Sequence, residues 1–214
     1  MSDWRQQQEG GGYSASMTPA DLSSLARSQS GHFVLESGYH SDVWWDLETL
    51  CHRPAALSPF VAALAELVRE HKPDVVCGAL IEGAFVSLLV ASELGCHFAY
   101  ALRFATSAKQ GLFPISYQLP AALHSMVKNK RVVVINDVIS AGSAVRGAVE
   151  HVDQLGGNVV AVGSLVLLGN TFGAFCQSRH LPLITLLAQD HHVWLPDVCP
   201  LCAAGGAPVY LAHN

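Results

Sequence analysis

The chain has 214 residues, of which half are hydrophobic and 14% charged, with a net charge of −5. That length fits one domain with a sizeable core, and so apolar a composition excludes a disordered chain and points to an oligomer interface. A net negative charge argues against a nucleic-acid surface, so any phosphate site has to be local.

Residues 1–16 carry Gln6-Gln7-Gln8 and Gly10-Gly11-Gly12 with almost no apolar periodicity and read as a flexible lead, without the apolar core of a signal peptide. Thr18-Pro19-Ala20-Asp21 supplies an N-cap, a proline at the first helical position and an acid in the first turn, which predicts a helix to about Arg27. Gly31 to Asp46 alternates loosely around Ser37-Gly38 and reads as a hairpin. Helix and hairpin make a small N-terminal hood over residues 17–50. Ser58-Pro59 opens a second helix, with Phe60, Val61, Leu64, Leu67 and Val68 on one face up to about Glu70.

Asp74 to Gly78 is a strand and Ala84 to Leu94 a helix; Glu82 and Glu93 interrupt this apolar run, making it a buried βα unit rather than a membrane span. Phe98 to Leu102 is the next strand. Residues 103–130 give few structure signals and read as a lid. Val132 to Ile135 are four consecutive β-branched residues, the signature of a strand buried on both faces. The strand ends in polar residues and turns through Gly142 into a helix over Ser143 to Leu155, stopped by Gly156-Gly157. Val159–Leu168 (strand), Thr171–Arg179 (helix) and Leu183–Leu187 (strand) complete the core, residues 51–190, ahead of a tail over 191–214. The alternation implies an α/β fold: a doubly wound, mainly parallel five-stranded sheet with helices on both faces and the small hood.

In such a sheet ligands bind at the carboxyl edge, and the amides of Ser140 to Ala144 would open the following helix, where unpaired N–H groups and the macrodipole favour an anion. The plain alternative is that Ser140 or Ser143 is an ordinary helix cap. Six scattered cysteines in a chain too large to need staples indicate a reducing, cytoplasmic setting. Cys199-x-x-Cys202 has metal-ligand spacing, and His191 and His192 could complete a structural zinc site within the tail or across a dimer, although a single CxxC pair is a weak signal; the other four cysteines read as inert core thiols.

The stretch Arg131 to Arg146 resembles the phosphoribosyl pyrophosphate (PRPP) motif of the type I phosphoribosyltransferases: a hydrophobic run, two acidic residues, two variable positions, then Thr-Thr-Gly or Thr-Ala-Gly and a hydroxyl residue. Ser140-Ala141-Gly142-Ser143 fills the phosphate loop, and Asn136 stands at the first acidic position. The hood segment is similar to that of orotate phosphoribosyltransferases, with Phe33, Leu35, Ser37, Gly38, Ser41 and the aromatic Trp45 in register. The tail Cys199-Pro200-Leu201-Cys202 is similar to that of some bacterial and archaeal members, so the resemblance spans about residues 20–210.

The resemblance implies an enzyme of pyrimidine nucleotide biosynthesis that transfers the phosphoribosyl group of PRPP to a nitrogen of a pyrimidine-like base and releases pyrophosphate. It would depend on Mg²⁺ carried by PRPP without a dedicated protein cage, and act as a homodimer whose lid reaches the neighbouring site. Asn136 and Asp137 would hold the ribose, and Val138, Ile139, Ser140, Ala141, Gly142, Ser143 and Ala144 the 5-phosphate. Ala79, Leu80, Ile81, Glu82 and Gly83 would form the pyrophosphate loop, with Glu82 where a lysine commonly stands, or else capping the next helix. Arg103 and Lys109 correspond to the catalytic cations of the lid, acting with Asp137; a solvated surface lysine is the alternative for Lys109. Glu36 replaces the lysine expected in the base pocket, Leu168-Gly169 falls where an arginine is expected, and Trp45, Trp44 and Tyr39 are available for stacking or serve as hood core. These replacements favour a neutral or hydrogen-bond-donating heterocycle over orotate. They equally suit a second class of protein, a non-catalytic or regulatory PRPP-binding relative.

Overall fold

The computed structural model describes residue 22 and residues 27–46, 50–105 and 115–210. Its main sheet has six strands: β3 (Val75–Ala79), β4 (His97–Ala105), β5 (Ile115–Gln118), β6 (Arg131–Ile139), β7 (Asn158–Leu168) and β8 (Leu183–Gln189). They lie in the order β5-β4-β3-β6-β7-β8. Five run parallel, as the alternation predicts, and β5 pairs antiparallel with β4.

Val132 to Ile135 of β6 are all 0% exposed, and their alternation feeds two cores. Val133 and Ile135 meet α1 (Pro54–Arg69) and α2 (Glu82–Leu94) through Leu57, Leu64, Val86 and Val90. Val132 and Val134 belong to the opposite layer with Val145 and Val149 of α4 (Ser143–Gln154) and Phe172 of α5 (Thr171–Ser178), and with Val127 of the short α3 (His124–Val127). Full burial of such a side chain contributes about 1.5–3 kcal/mol, so β6 is fixed by packing from both sides.

Two elements differ from the sequence reading. Helix α1 starts at Pro54, with Pro59 inside it rather than at its start. Pro54 takes the first-turn position where a missing N–H costs nothing, and Pro59 then falls on the exposed side of the first turns. The expected lid is shorter, because β4 runs on to Ala105 and β5 returns along it, pairing Arg103 with Tyr117 and Ala105 with Ile115. Four residues with only Tyr117 fully buried give too brief a period-two signal to stand out in a polar segment.

The hood is a second sheet of four strands, built from both ends of the described chain. β1 (Arg27–Val34) and β2 (His40–Asp46) form the expected hairpin, turning through Gly38 at φ 84°. The tail then closes both edges. β9 (Val193–Trp194) pairs antiparallel with β2, and β10 (Val209–Tyr210) pairs parallel with β1. A 3-10 turn at Pro196–Val198 and the single-turn α6 (Pro200–Ala203) link the two. The expected lead over residues 1–16 lies outside the described residues, and of the helix expected from Thr18 only Leu22 is described, helical and packed on the α1–α2 core. Among the described residues no helix is long and apolar enough to cross a membrane.

Candidate active site

The carboxyl end of β6 collects polar groups that the protein itself does not satisfy. Asn136 donates from Nδ2 to the Val138 carbonyl at 2.9 Å, while its Oδ1 is buried without a hydrogen-bond partner. Ser140 Oγ is buried and unpartnered as well. An orphaned buried polar atom costs about 1–3 kcal/mol, so two within five residues mark a place arranged for something else to bind. Asp137 lies between them, 4% exposed; burial, reinforced by the charge of Glu82, pushes its carboxyl up to about 7 against a pull from the Val138 amide.

Gly142 follows in the left-handed region at φ 81° and occupies the N-cap of α4. A Cβ there would strike the ring of Phe172, which is fully buried beneath the loop. Arg146, one turn into α4, donates from Nε to the Ala141 carbonyl at 3.1 Å and lays its guanidinium over Phe175, 4.5 Å from the ring centroid. The loop is thereby braced from below, with the first amides of α4 left open. The capping alternative for Ser140 fails, since Gly142 holds the cap position and the Ser140 hydroxyl has no hydrogen-bond partner among the described residues.

Beside it runs the segment Ala79 to Gly83. A Cβ on Gly83 would overlap the Asn136 side-chain amide, so glycine is what lets this loop reach the β6 crest. Ser87 Oγ donates to the Ile135 carbonyl at 2.9 Å and locks α2 to β6. The Leu80–Ile81 peptide is cis. Glu82 is the first residue of α2, with Ile81 at the N-cap position, and an acid in this first turn suits the helix dipole.

The base-pocket and lid residues are arranged differently from what the sequence suggests. Glu36 accepts from Arg103 Nε at 2.8 Å and from Tyr117 Oη at 2.9 Å. Arg103, expected as a free catalytic cation, is therefore the partner of the hood acid, and the charge of Glu36 is offset rather than open to repel a ligand. Lys109 lies outside the described residues. Trp45 packs on the α1–α2 core, which favours the hood-core alternative, and Trp44 tilts against Phe33 at 6.4 Å between centroids. Tyr39 at the hood turn is near enough to Arg146 for their charges to interact. Leu168 is 4% exposed, and at Gly169, with φ 68°, an added Cβ would strike the His191 carbonyl, so neither position presents a cation. A cleft of about 350 Å³ opens between β5 and α4, but of the phosphate-loop residues only Ser143 lines it.

Because Tyr117 is 5% exposed while the Arg103 side chain is 43% exposed, the two contacts to Glu36 differ in worth. Tyr117→Phe should cost about 1.5–3 kcal/mol, as for a buried bond to a charged group, and Arg103→Ala less than about 1 kcal/mol. Urea midpoints of the two variants check the order; a larger loss for Arg103→Ala contradicts it.

His191 and His192 do not join the tail cysteines. His191 Nε2 lies 3.1 Å from Ser41 Oγ, and His192 Nδ1 3.2 Å from Asp42 Oδ2. Sequence reasoning missed Arg146, Tyr117 and Phe172 as parts of the site, and His32 and His40 as neighbours of Cys199 and Cys202. Arg146, four residues beyond Gly142, carried the one readable signal, an arginine in the first turn of the phosphate helix.

A mainly parallel α/β sheet with helices on both faces and a glycine-bent loop at the crest of its central strand defines a doubly wound α/β domain. Its family follows from sequence: the model of the phosphoribosyl transferase domain matches residues 49–173, and the chain belongs to the type I phosphoribosyltransferases, enzymes of the pentosyltransferase class. The orotate phosphoribosyltransferase of Caldanaerobacter subterraneus is 30% identical over 179 residues, 82% of this chain and 85% of its own. That of Thermus thermophilus is 31% identical over 175 residues, 82% and 88%. Among solved structures, adenine phosphoribosyltransferase from Trypanosoma brucei, crystallised with AMP, pyrophosphate and ribose-5-phosphate, superposes with a TM-score of 0.63 at 17% identity over 79% of this chain and 78% of its own. Orotate phosphoribosyltransferase from Aeropyrum pernix gives 0.58 at 23% over 75% and 87%. These two share the fold.

Proposed function

We propose that this chain transfers the phosphoribosyl group of PRPP to a ring nitrogen of a neutral, pyrimidine-like base. The observation that carries the reading is the pair of orphaned atoms, Asn136 Oδ1 and Ser140 Oγ, beside a braced loop at the start of α4. The amides of Ser140 to Ala144 and the Ser140 and Ser143 hydroxyls hold the 5-phosphate. Asn136 Oδ1 and the Asp137 carboxylate accept from the ribose hydroxyls, and Ala79 to Gly83 lies along the pyrophosphate. The base nitrogen forms a bond to C1 as the C1–oxygen bond to pyrophosphate breaks, through an oxocarbenium-like transition state. Asp137 faces the developing positive charge, and Asn136 keeps an acceptor without adding a second charge.

Mg²⁺, when bound with PRPP, supplies neutralisation of the leaving pyrophosphate; the buried Asp137 and the half-buried Glu82, close enough to feel each other's charge, are hard oxygen donors that suit its waters. Lys109 serves as the cation on the leaving group, and Arg103 joins it on release from Glu36. A neutral base is favoured because the hood offers Glu36 rather than a cation and Leu168-Gly169 offers no guanidinium. None of the six cysteines is joined in a disulfide, which suits a reducing, cytoplasmic setting.

A homodimer is supported by exposed apolar side chains at the start of α2 and along it, with Ile81 just before the helix and Phe85 and Leu88 within it at 55%, 46% and 49% exposure, and by Phe104 at 45%. Phe85→Glu should convert the dimer to monomer in sedimentation and lower turnover at least about tenfold, each tenfold being 1.4 kcal/mol, because the lid acts on the neighbouring site. A dimer of unchanged affinity contradicts the assignment of this face.

Pyrophosphate release from PRPP and Mg²⁺ against uracil, other neutral heterocycles and orotate tests the function. Release with a neutral base is expected. Release with orotate alone overturns the choice of base, and none with any base overturns the transfer reaction.

A further inference from the structure

We propose that His32, His40, Cys199 and Cys202 form a structural zinc site that fastens the C-terminal tail to the hood hairpin. One ligand atom from each lies within 4.8 Å of the other three. His32 Nε2 is 2.9 Å from His40 Nδ1, 3.5 Å from Cys199 Sγ and 3.7 Å from Cys202 Sγ, and Cys202 Sγ is 3.3 Å from His40 Nδ1. A tetrahedron with zinc–sulfur bonds of about 2.3 Å and zinc–nitrogen bonds of about 2.0–2.1 Å has edges of about 3.3–3.8 Å. The four measured edges match such a tetrahedron, with the nitrogen pair slightly drawn in, and the other two, from Cys199 Sγ to Cys202 Sγ and to His40 Nδ1, are no longer than 4.8 Å.

The surroundings favour a metal over a hydrogen-bonded cluster. His32 Nδ1 is 2.9 Å from the Gly206 carbonyl, which can only accept, so Nδ1 carries the proton and Nε2 turns a lone pair toward the other three atoms. His40 and Cys199 are 7% and 3% exposed, leaving water little part in pairing them. Two thiolates with two neutral imidazoles balance a divalent ion, and this closed S₂N₂ set with no open position suits structural zinc. The turn around Cys202 is itself fixed, since Gly205 N donates to the Cys202 carbonyl at 2.9 Å and Gly206 N to Leu201 at 3.0 Å.

The ligands come from β1, β2 and the β9–β10 connection, so one ion cross-links residues far apart in sequence, where β9 and β10 contribute only two residues each. The hairpin held this way carries Glu36, which meets Arg103 and Tyr117. Zinc thus acts on the hood and leaves the β6 phosphate loop independent of it.

The test is metal content of the full chain, followed by cobalt substitution. Expected are one zinc per chain after exhaustive desalting and, with cobalt, the ligand-field bands of a tetrahedral site plus a thiolate charge-transfer band. Cys202→Ser should weaken cobalt binding by more than about a hundredfold, beyond the loss usual for second-shell changes, while Cys51→Ser leaves it unchanged. Should Cys202→Ser fail to fold, the wild-type cobalt spectrum decides alone. Absence of zinc with no cobalt uptake, a spectrum without thiolate charge transfer, unaltered uptake by folded Cys202→Ser, or a Cys199–Cys202 disulfide in the native protein each overturns the site.

Discussion

Gly142→Val should abolish PRPP binding while leaving the central sheet folded. Gly142 sits at φ 81°, where an L side chain costs about 1–2 kcal/mol. Its Cβ would also enter the Phe172 ring, which has no room to yield: Phe172 is fully buried and Arg146 lies over it, 5.5 Å from the centroid. Overpacking of this kind costs a further ~1–3 kcal/mol. Escape requires the loop to move, which breaks the Arg146–Ala141 bond and disperses the amides that face the phosphate. At 1.4 kcal/mol per factor of ten, affinity should fall more than about a hundredfold by calorimetry, with a melting temperature lower by several degrees. Gly173→Ala, where an added Cβ meets nothing within 4 Å, should change neither. Undiminished PRPP affinity in Gly142→Val would remove the phosphate loop from the binding site.

Asp137 should set two opposite pH dependences. Its carboxyl is held up to about 7 chiefly by burial, against about 3.9 in an unfolded chain. A group whose folded pKa is raised contributes stability that is complete below the unfolded value and is lost as pH rises through the folded one. Wild type should therefore lose stability between about pH 4 and 7, by up to roughly 4 kcal/mol at 1.36 kcal/mol per unit. Asp137→Asn, which cannot ionise, should lack that slope and be the more stable protein at pH 8. Activity should run the other way. In the proposed reaction the carboxylate is the form that accepts from ribose hydroxyls and faces the developing cation, so kcat/KM should rise with pH through about 7. Asp137→Asn should lose about 10²–10³ in rate and that rise together, as when one preorganised electrostatic group is removed. Urea midpoints at pH 5 and 8 with a pH–rate profile check both arms, and matching pH slopes in the two proteins would contradict this role.

The parallel sheet and the glycine turn after its central strand were legible because each follows from local rules. Val132 to Ile135 can only be a doubly buried strand, and the Ser-Ala-Gly-Ser turn after it is short-range chemistry. What escaped depends on partners distant in sequence. β5 is four residues long and owes its existence to β4 and α4. The Glu36–Arg103 pair spans 67 positions, so neither charge read alone revealed the other as its partner. The same reason separates Cys199 and Cys202 from His32 and His40, which pair with them only once the tail has added strands to the hairpin. His191 and His192, near the cysteines in sequence, turn instead to Ser41 and Asp42. Asn136 was visible as a departure from the motif, but that its Oδ1 is left unpaired beside Gly83 needed the packing of α2 on β6.

Titration of the full chain with PRPP and Mg²⁺ in a calorimeter, with ribose 5-phosphate as competitor, tests the assignment of the β6 crest most directly. Saturable binding displaced by ribose 5-phosphate and lost in Gly142→Val is the predicted result. Absence of binding, or binding indifferent to Gly142→Val, would contradict it.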